Sequence, residues 1–199
     1  MQEKAGASEL MYRDASSRLE GKDPSVIAMR SGVTFDYESN CFTFTTFGKE
    51  VRLSYPDYIF TPDLPSWHAL CILHYLDLAD GTPLTGEYIS FSQIKDGMVR
   101  GGGFDRRFES VCSEIFSSFD NDEIIRRIEA FGSNRIDTNA DYSAVISFMP
   151  YYPLLLKVWF SDDEFPPSGK LMVDRNDTYL SIEDAVTVGE IVIEKIKEQ

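Results

Sequence analysis

The hydrophobic positions of the first third of the chain change from a helical period to an alternating one. Weak three-to-four spacing over residues 9–20 predicts a helix, and Asp23-Pro24 has the sequence of an N-cap and first turn for a second helix that ends at Gly32. Apolar residues then alternate, with Ser39-Asn40 and Gly48-Lys49 as turns. The strand faces are Val33, Phe35 and Tyr37; Phe42, Phe44 and Thr46; and Val51, Leu53 and Tyr55. The pattern predicts a three-stranded meander.

The rest of the chain alternates between predicted helices and predicted strands. Ser66 to Leu78 is apolar nearly all round, which is typical of a central helix, and Trp67 is expected in its core-facing set. Further helices are predicted from Phe104 to Phe119, from the Asp120–Glu123 capping box to Gly132, and after a Ser181 cap. Strands are predicted at Glu87–Phe91, Tyr142–Phe148, Leu154–Phe160 and Leu171–Val173, with a turn at Pro150–Pro153.

These elements predict an α+β fold in a single domain over residues 1–199. The expected architecture is a mainly antiparallel sheet, made of the meander and a C-terminal hairpin, covered by helices. A chain of 199 residues with 43% hydrophobic residues can bury a sizeable core.

Charge and cysteine content limit the possible partners. The chain has 19 basic and 33 acidic residues, a net charge of -14, so neither nucleic acid nor an anionic membrane surface is an expected partner. Residues 1–8 contain no apolar run that would indicate a signal peptide. Cys41, Cys71 and Cys112 are widely spaced and odd in number, which favours reduced thiols and a cytoplasmic location.

The run Gly101-Gly102-Gly103 is the first candidate site. Successive backbone amides before a helix can bind an anion, and Arg100, Arg106 and Arg107 flank the run. Neither nucleotide fingerprint fits, because Arg106 stands where the third glycine of the dinucleotide motif belongs and no Gly-Lys-Ser/Thr follows. The alternative is a flexible surface turn whose arginines pair with local carboxylates.

A second candidate is the acidic stretch Asp162-Asp163-Glu164, together with Asp174 and Asp177. Carboxylates of this kind could hold magnesium or calcium, but the spacing is not that of a calcium loop. A solvated loop is favoured in so acidic a protein, and neither a metal nor any other cofactor is expected. His68 and His74 point roughly 120° apart on a helix and cannot share a metal on one face.

Several segments together resemble a known family. Trp159 to Ser168, Asp174, Tyr179 to Asp184 and Gly86 to Phe91 are similar to the uncharacterised family catalogued as domain of unknown function 3786. The resemblance implies a cytoplasmic accessory role in anaerobic metabolism and supplies no catalytic residues. Some members carry a cysteine-rich iron–sulfur domain at the N-terminus, and no such extension is expected for this chain. Pro166-Pro167 is expected to stiffen the acidic loop, with Phe165 fixing the loop to the core.

Three functions follow as hypotheses. The first is a non-catalytic binding or accessory module, whose cleft near Gly101–Arg107 and Asp162–Pro167 takes a small anionic ligand or a protein partner. The second is a metal-assisted hydrolase or transferase, with Asp163, Glu164 and Asp174 holding the cation and Arg107 orienting an anion. The third is an interaction protein that self-associates through an exposed sheet edge.

Overall fold

The secondary structure alternates between helices and short strands along the chain. A computed structural model describes residues 2–176 and 178–198, with side chains described from residue 9 onward. The helices are α1 (Gln2–Ser17), α2 (Pro24–Ser31), α3 (Ser66–Leu78), α4 (Arg100–Phe116), α5 (Asn121–Glu129) and α6 (Ile182–Glu198). The strands are β1 (Thr34–Asp36), β2 (Cys41–Thr46), β3 (Lys49–Ser54), β4 (Phe60–Thr61), β5 (Tyr88–Ile89), β6 (Asn134–Arg135), β7 (Tyr142–Met149), β8 (Tyr152–Trp159) and β9 (Ser168–Asp174). A 3-10 turn spans Phe91–Gln93.

Helix α2 begins and ends where its sequence predicts. The Asp23 side chain accepts a hydrogen bond from the Ser25 N–H, and the proline ring occupies the first helical position, where no N–H is needed. Gly32 ends the helix with φ 73°, a left-handed conformation that glycine adopts without a Cβ penalty. Asp120 caps α5 by accepting from the Glu123 N–H at 2.8 Å, while the Glu123 carboxylate pairs with Arg126 and Arg127 and does not complete the predicted capping box.

The strands form two antiparallel sheets. The first sheet has the order β1-β2-β3-β4 and contains the predicted meander. The second has the order β5-β9-β8-β7-β6 and contains the predicted hairpin of β7 and β8. The α+β class and the antiparallel pairing are therefore confirmed. The meander and hairpin lie in separate sheets, and β4 and β6 were missed because two residues are too few to show a period.

The two sheets meet at the turn between β2 and β3. The Phe47 N–H donates to the Ser147 carbonyl of β7 at 2.9 Å, and the Phe47 ring packs on Phe131 and Phe148. Gly48 lies against the end of α5, where a Cβ would be 2.6 Å from the Phe131 carbonyl oxygen. Buried residues of both sheets and of the helices belong to one hydrophobic cluster, so the core is continuous across this junction.

Two aromatic residues that were expected in the core lie at the surface. Trp67 is 54% exposed and Tyr37 is 66% exposed. Helix α3 packs against α1, α2 and α6, yet Trp67 in its first turn projects outside these contacts. An apolar run predicts a buried helix but cannot say which residue faces away from the neighbours. Among the described helices, none has the length and apolar character needed to cross a membrane.

Candidate functional site

The glycine run lies inside helix α4. The helix begins at Arg100, and the N–H groups of Gly101 and Gly102 both donate to the Gly97 carbonyl, at 2.8 and 3.2 Å. The Gly103 N–H donates to the Val99 carbonyl at 3.0 Å. The prediction of a surface turn was wrong, because the glycines belong to the helix. Their amides are used by the chain itself, so they do not form the open anion nest considered as the first candidate.

The glycines instead allow α4 to contact the 3-10 turn closely. A Cβ on Gly101 would be 2.1 Å from the Phe91 carbonyl oxygen. The Asp105 carboxylate, one helical turn later, accepts from the N–H groups of Phe91 and Ser92 at 3.1 and 3.0 Å. The start of α4 and residues 90–93 therefore form one packed unit, and the carboxylate of Asp105 is largely used within it.

The three flanking arginines have different surroundings. Arg100 and Arg107 each donate to a carboxylate of α6, namely Glu183 and Glu190, and both pairs measure 2.9 Å. Arg106 is exposed, and its guanidinium makes no ion pair or hydrogen bond with any described residue. Of the predicted cationic set, Arg106 alone is left available to a ligand within the described chain.

Arg106 lines a pocket between α4 and the start of β9. The pocket has a volume of about 480 Å³, which lies within the range of small-ligand sites. Its lining residues are Ser90, Asp105, Arg106, Glu109, Trp159, Ser168, Gly169 and Lys170. Lys170 is exposed, and its ammonium group, like the Arg106 guanidinium, has no hydrogen bond or ion pair to the residues that the structure describes. Arg106 and Lys170 therefore both line one concavity of a strongly acidic protein.

A second pocket, of about 460 Å³, adjoins the first and reaches the acidic loop. The two share Glu109, Trp159 and Ser168. The second is also lined by Asp141, Phe160, Asp162, Phe165 and Pro166. We call the two pockets together the α4–β9 groove. The groove brings Arg106 and the acidic loop to one surface, whereas Arg100 and Arg107 pair with α6 and stay outside its lining.

The acidic loop is organised around Asp162. Its carboxylate oxygen accepts from the N–H groups of Glu164 and Phe165 at 2.9 and 2.7 Å, and these bonds lower the pKa of Asp162. Asp163 and Glu164 are exposed. Phe165 is 66% exposed, so the prediction that it fixes the loop to the core was wrong; Pro167 is the buried residue of this loop. The sequence Pro166-Pro167 predicts a stiff loop but does not indicate which residue of the loop points toward the core.

Asp174 lies at the opposite end of β9 from the acidic loop, roughly 20 Å along the strand. It is 4% exposed and accepts from the N–H groups of Thr85, Gly86 and Asn176 and from the Thr85 hydroxyl. Burial raises the pKa of Asp174, but these donors together lower it below its usual value. Asp177 lies outside the described residues. In the described chain no three His, Cys, Asp or Glu side chains are grouped to hold a metal.

A comparison with known protein families gives a match over most of the chain. A family model described as domain of unknown function (DUF3786) matches residues 23–195. The chain belongs to this family. No curated protein and no solved structure matches it.

The histidines and two of the cysteines of this DUF3786 chain are packed or hydrogen-bonded within the fold. His68 Nε2 lies 2.8 Å from the Thr46 hydroxyl, and burial, helped by the charge of Lys195, lowers the His68 pKa to about 4. His74 Nδ1 lies 2.8 Å from an Asp184 carboxylate oxygen, at the start of α6. Burial raises the pKa of the Cys71 and Cys112 thiols, which disfavours the thiolate that a nucleophile needs.

Sequence reasoning missed Lys170, Glu109 and Ser90 as members of the groove of this DUF3786 chain. The visible signal for Lys170 was its position directly before the predicted strand Leu171–Val173. Parts of two segments that carried the family resemblance meet in the groove, where Ser90 lies with Trp159 and Ser168. Gly86 is bound by Asp174 at the other end of β9.

Proposed function

We propose that this DUF3786 protein is a non-catalytic binding module whose α4–β9 groove takes an anionic ligand. The observation that carries the proposal is that Arg106 and Lys170 line one pocket and that their charged groups have no hydrogen bond or ion pair within the described chain. Arg100 and Arg107, close by on the same helix, are already paired with carboxylates of α6. Charge-assisted hydrogen bonds to a carboxylate or phosphate would satisfy the unpaired guanidinium and ammonium groups.

The charge of the whole protein strengthens this reasoning. With a net charge of -14, the average surface repels anions, so an anion must be held by local cations. Asp105 opposes the ligand less than its position suggests, because two backbone N–H groups already share its charge. Glu109 remains as the carboxylate between the two pockets, and it restricts the anionic part of the ligand to the end near Arg106.

The metal-dependent alternative has less support. It needs Asp163, Glu164 and Asp174 around one cation, yet Asp174 lies at the far end of β9 and its oxygens are taken by the Thr85–Gly86 backbone and by Asn176. Its anion-orienting Arg107 is paired with Glu190. A non-catalytic binding module does not require Asp174 or Arg107 to leave these partners.

We also propose that the protein works in the cytoplasm as an accessory component of anaerobic metabolism. Three free thiols are consistent with a reducing compartment. The family resemblance adds the anaerobic setting. Fractionation of producing cells, probed with an antibody to the chain, would show the protein in the soluble cytoplasmic fraction; recovery outside that fraction would contradict the location.

The binding proposal is tested with citrate and pyrophosphate as probes. Millimolar citrate or pyrophosphate should raise the melting temperature, and Arg106→Gln should weaken the effect about tenfold or more, as expected for loss of a charge-assisted bond. Arg107→Gln is the matched control. It removes the same charge from the neighbouring residue, whose side chain pairs with Glu190 outside the groove. Equal stabilisation of both variants, or none in the parent protein, would contradict the proposal.

A further inference from the structure

The two pockets of the α4–β9 groove differ in charge. Arg106 and Lys170, the basic residues of the groove lining, both belong to the first pocket. The second pocket is lined by the carboxylates of Glu109, Asp141 and Asp162. Within the described chain, no basic side chain forms an ion pair with any of these three carboxylates. The groove therefore has a basic end and an acidic end.

The carboxylates of the second pocket keep oxygens that a ligand can bind. Asp141 accepts from the Phe160 N–H through Oδ2 at 2.8 Å, and Asp162 uses only Oδ1 for its two backbone bonds. Glu109 is exposed, and its carboxylate has no hydrogen bond to the part of the chain that the structure describes. The donors to these carboxylates are neutral backbone groups, so the negative charge of the pocket is not neutralised. Such a pocket repels a second anionic group and attracts a cation.

Aromatic residues line the same pocket. Trp159 and Phe160 are half-buried, and Phe165 is 66% exposed. The faces of aromatic rings attract ammonium cations, and aromatic cages bind quaternary ammonium groups in this way. Among the described residues, no three carboxylates are grouped closely enough to hold a metal ion. Negative charge spread around a pocket of about 460 Å³ therefore suits an organic ammonium group better than a compact metal ion.

The acidic and basic ends lie on opposite sides of Trp159 and Ser168. These two residues are partners in the register of β8 and β9, and each lines both pockets. Lys170 is two residues further along β9, ~7 Å from Ser168. Asp162 belongs to the loop that joins β8 to β9 beyond this pair, on the side away from Lys170. A ligand that binds at both ends therefore needs its opposite charges to be separated by several ångströms.

We infer that the ligand of the groove is a small organic zwitterion, whose carboxylate or phosphate binds at Arg106 and Lys170 and whose ammonium group binds in the acidic, aromatic pocket. The inference rests on the proposed function and names its ligand class. A methylene chain between the two charges would lie on Trp159, the aromatic residue that lines both pockets. Matching both charges selects the zwitterion over simple anions, which the acidic end repels.

The probes are 6-aminohexanoate and three relatives that each change one feature. Hexanoate lacks the ammonium group, hexylamine lacks the carboxylate, and norleucine is an isomer of 6-aminohexanoate whose two charges are adjacent. The readout is the fluorescence of Trp159 in the full chain with Trp67→Phe, because Trp67 is the other tryptophan and lies outside the groove lining. The dissociation constant of 6-aminohexanoate should be at least tenfold below those of all three relatives.

Substitutions on helix α4 separate the roles of the two ends. Arg106→Gln should weaken the binding of both 6-aminohexanoate and hexanoate about tenfold, because both place a carboxylate there. Glu109→Gln should weaken 6-aminohexanoate about threefold or more, as expected for loss of an exposed ion pair. The same change should leave hexanoate unchanged or bind it more tightly, because a repulsive charge is removed. Glu114→Gln is the matched control, an exposed carboxylate of α4 outside the groove lining, and should affect neither ligand.

The outcomes separate this inference from the proposed function. If citrate or pyrophosphate stabilises the protein through Arg106 but 6-aminohexanoate binds no tighter than hexanoate, the groove remains an anion site and the zwitterion is overturned. Equal binding of norleucine would also overturn it, because separated charges would then give no advantage. A parallel loss of 6-aminohexanoate and hexanoate in Glu109→Gln would overturn the placement of the ammonium group. Failure of both anions and of 6-aminohexanoate to bind would overturn both proposals.

Discussion

The Phe91 carbonyl oxygen lies 2.1 Å from the position that a Cβ would take on Gly101. The contact fixes the start of α4 against the 3-10 turn that follows β5. The same turn receives the Asp105 carboxylate, so the wall of the α4–β9 groove depends on a close backbone approach rather than on a flexible loop.

The first prediction concerns Gly101→Ala and its control Gly103→Ala. The methyl group at 101 must displace backbone, so we expect a loss of about 1–3 kcal/mol in the free energy of unfolding, the usual cost of overpacking. At Gly103 a Cβ meets nothing within 4 Å, and alanine should stabilise the helix by about 1 kcal/mol. Urea unfolding followed by circular dichroism measures both. A stabilised Gly101→Ala protein would contradict the close approach.

The junction of the two sheets gives the second prediction. Gly48 has φ 73° and a Cβ there would lie 2.6 Å from the Phe131 carbonyl oxygen. Gly21 has the same φ with nothing within 4 Å of a Cβ. Alanine at 21 should cost about 1 kcal/mol from backbone strain alone, and alanine at 48 should cost at least about 1 kcal/mol more.

Unfolding midpoints in urea give the difference between Gly48→Ala and Gly21→Ala directly. Because the left-handed backbone is common to both positions, the difference reports the contact with α5. Equal losses in the two variants would mean that α5 yields freely and does not fix the junction.

The sequence predicted the helices and long strands because their periods extend over many residues. Helix α3 was predicted at its observed bounds, and Gly32 ended α2 as expected. The groove was only partly predictable. Arg100, Arg106 and Arg107 are equivalent in the sequence, and what distinguishes them is the presence of α6, 83 residues away, beside two of the three. Tertiary contacts at such separations leave no local pattern.

A third prediction follows from the bonds of Asp174. Asp174→Asn keeps the oxygen that can accept from Thr85 and Asn176, but it presents an N–H₂ group to the Gly86 N–H, so we expect a loss of about 1–3 kcal/mol from the unsatisfied buried donor. Asp162→Asn is the control. Asp162 uses a single oxygen for both of its bonds at the surface, so its change should be near zero.

Thermal and urea unfolding of the two asparagine variants, at neutral pH and fixed ionic strength, measure this difference. Asp174→Asn should also increase the exchange rate of the Gly86 amide. An unchanged stability of Asp174→Asn would show that the loop before β5 is held by other contacts.

The fourth prediction is a pH dependence of stability that arises from His68. Its pKa is lowered to about 4 in the folded protein, against about 6.5 when unfolded, because burial disfavours the imidazolium. Between these values the unfolded chain binds more protons, so stability present above pH 6.5 is lost as the pH falls toward 4, by about 3 kcal/mol.

Urea unfolding at closely spaced pH values between 7 and 4 measures this loss, and His68→Gln removes the titrating group. Glutamine lowers stability at every pH if its amide fits the Thr46 hydroxyl poorly, so the decisive quantity is the slope against pH. The parent protein should lose more stability than His68→Gln over this interval. Carboxylates with lowered pKa, such as Asp174 and Asp184, titrate in both proteins and cancel in the comparison. Parallel slopes would mean that the His68 pKa is not depressed by its burial against Phe47 and Phe148.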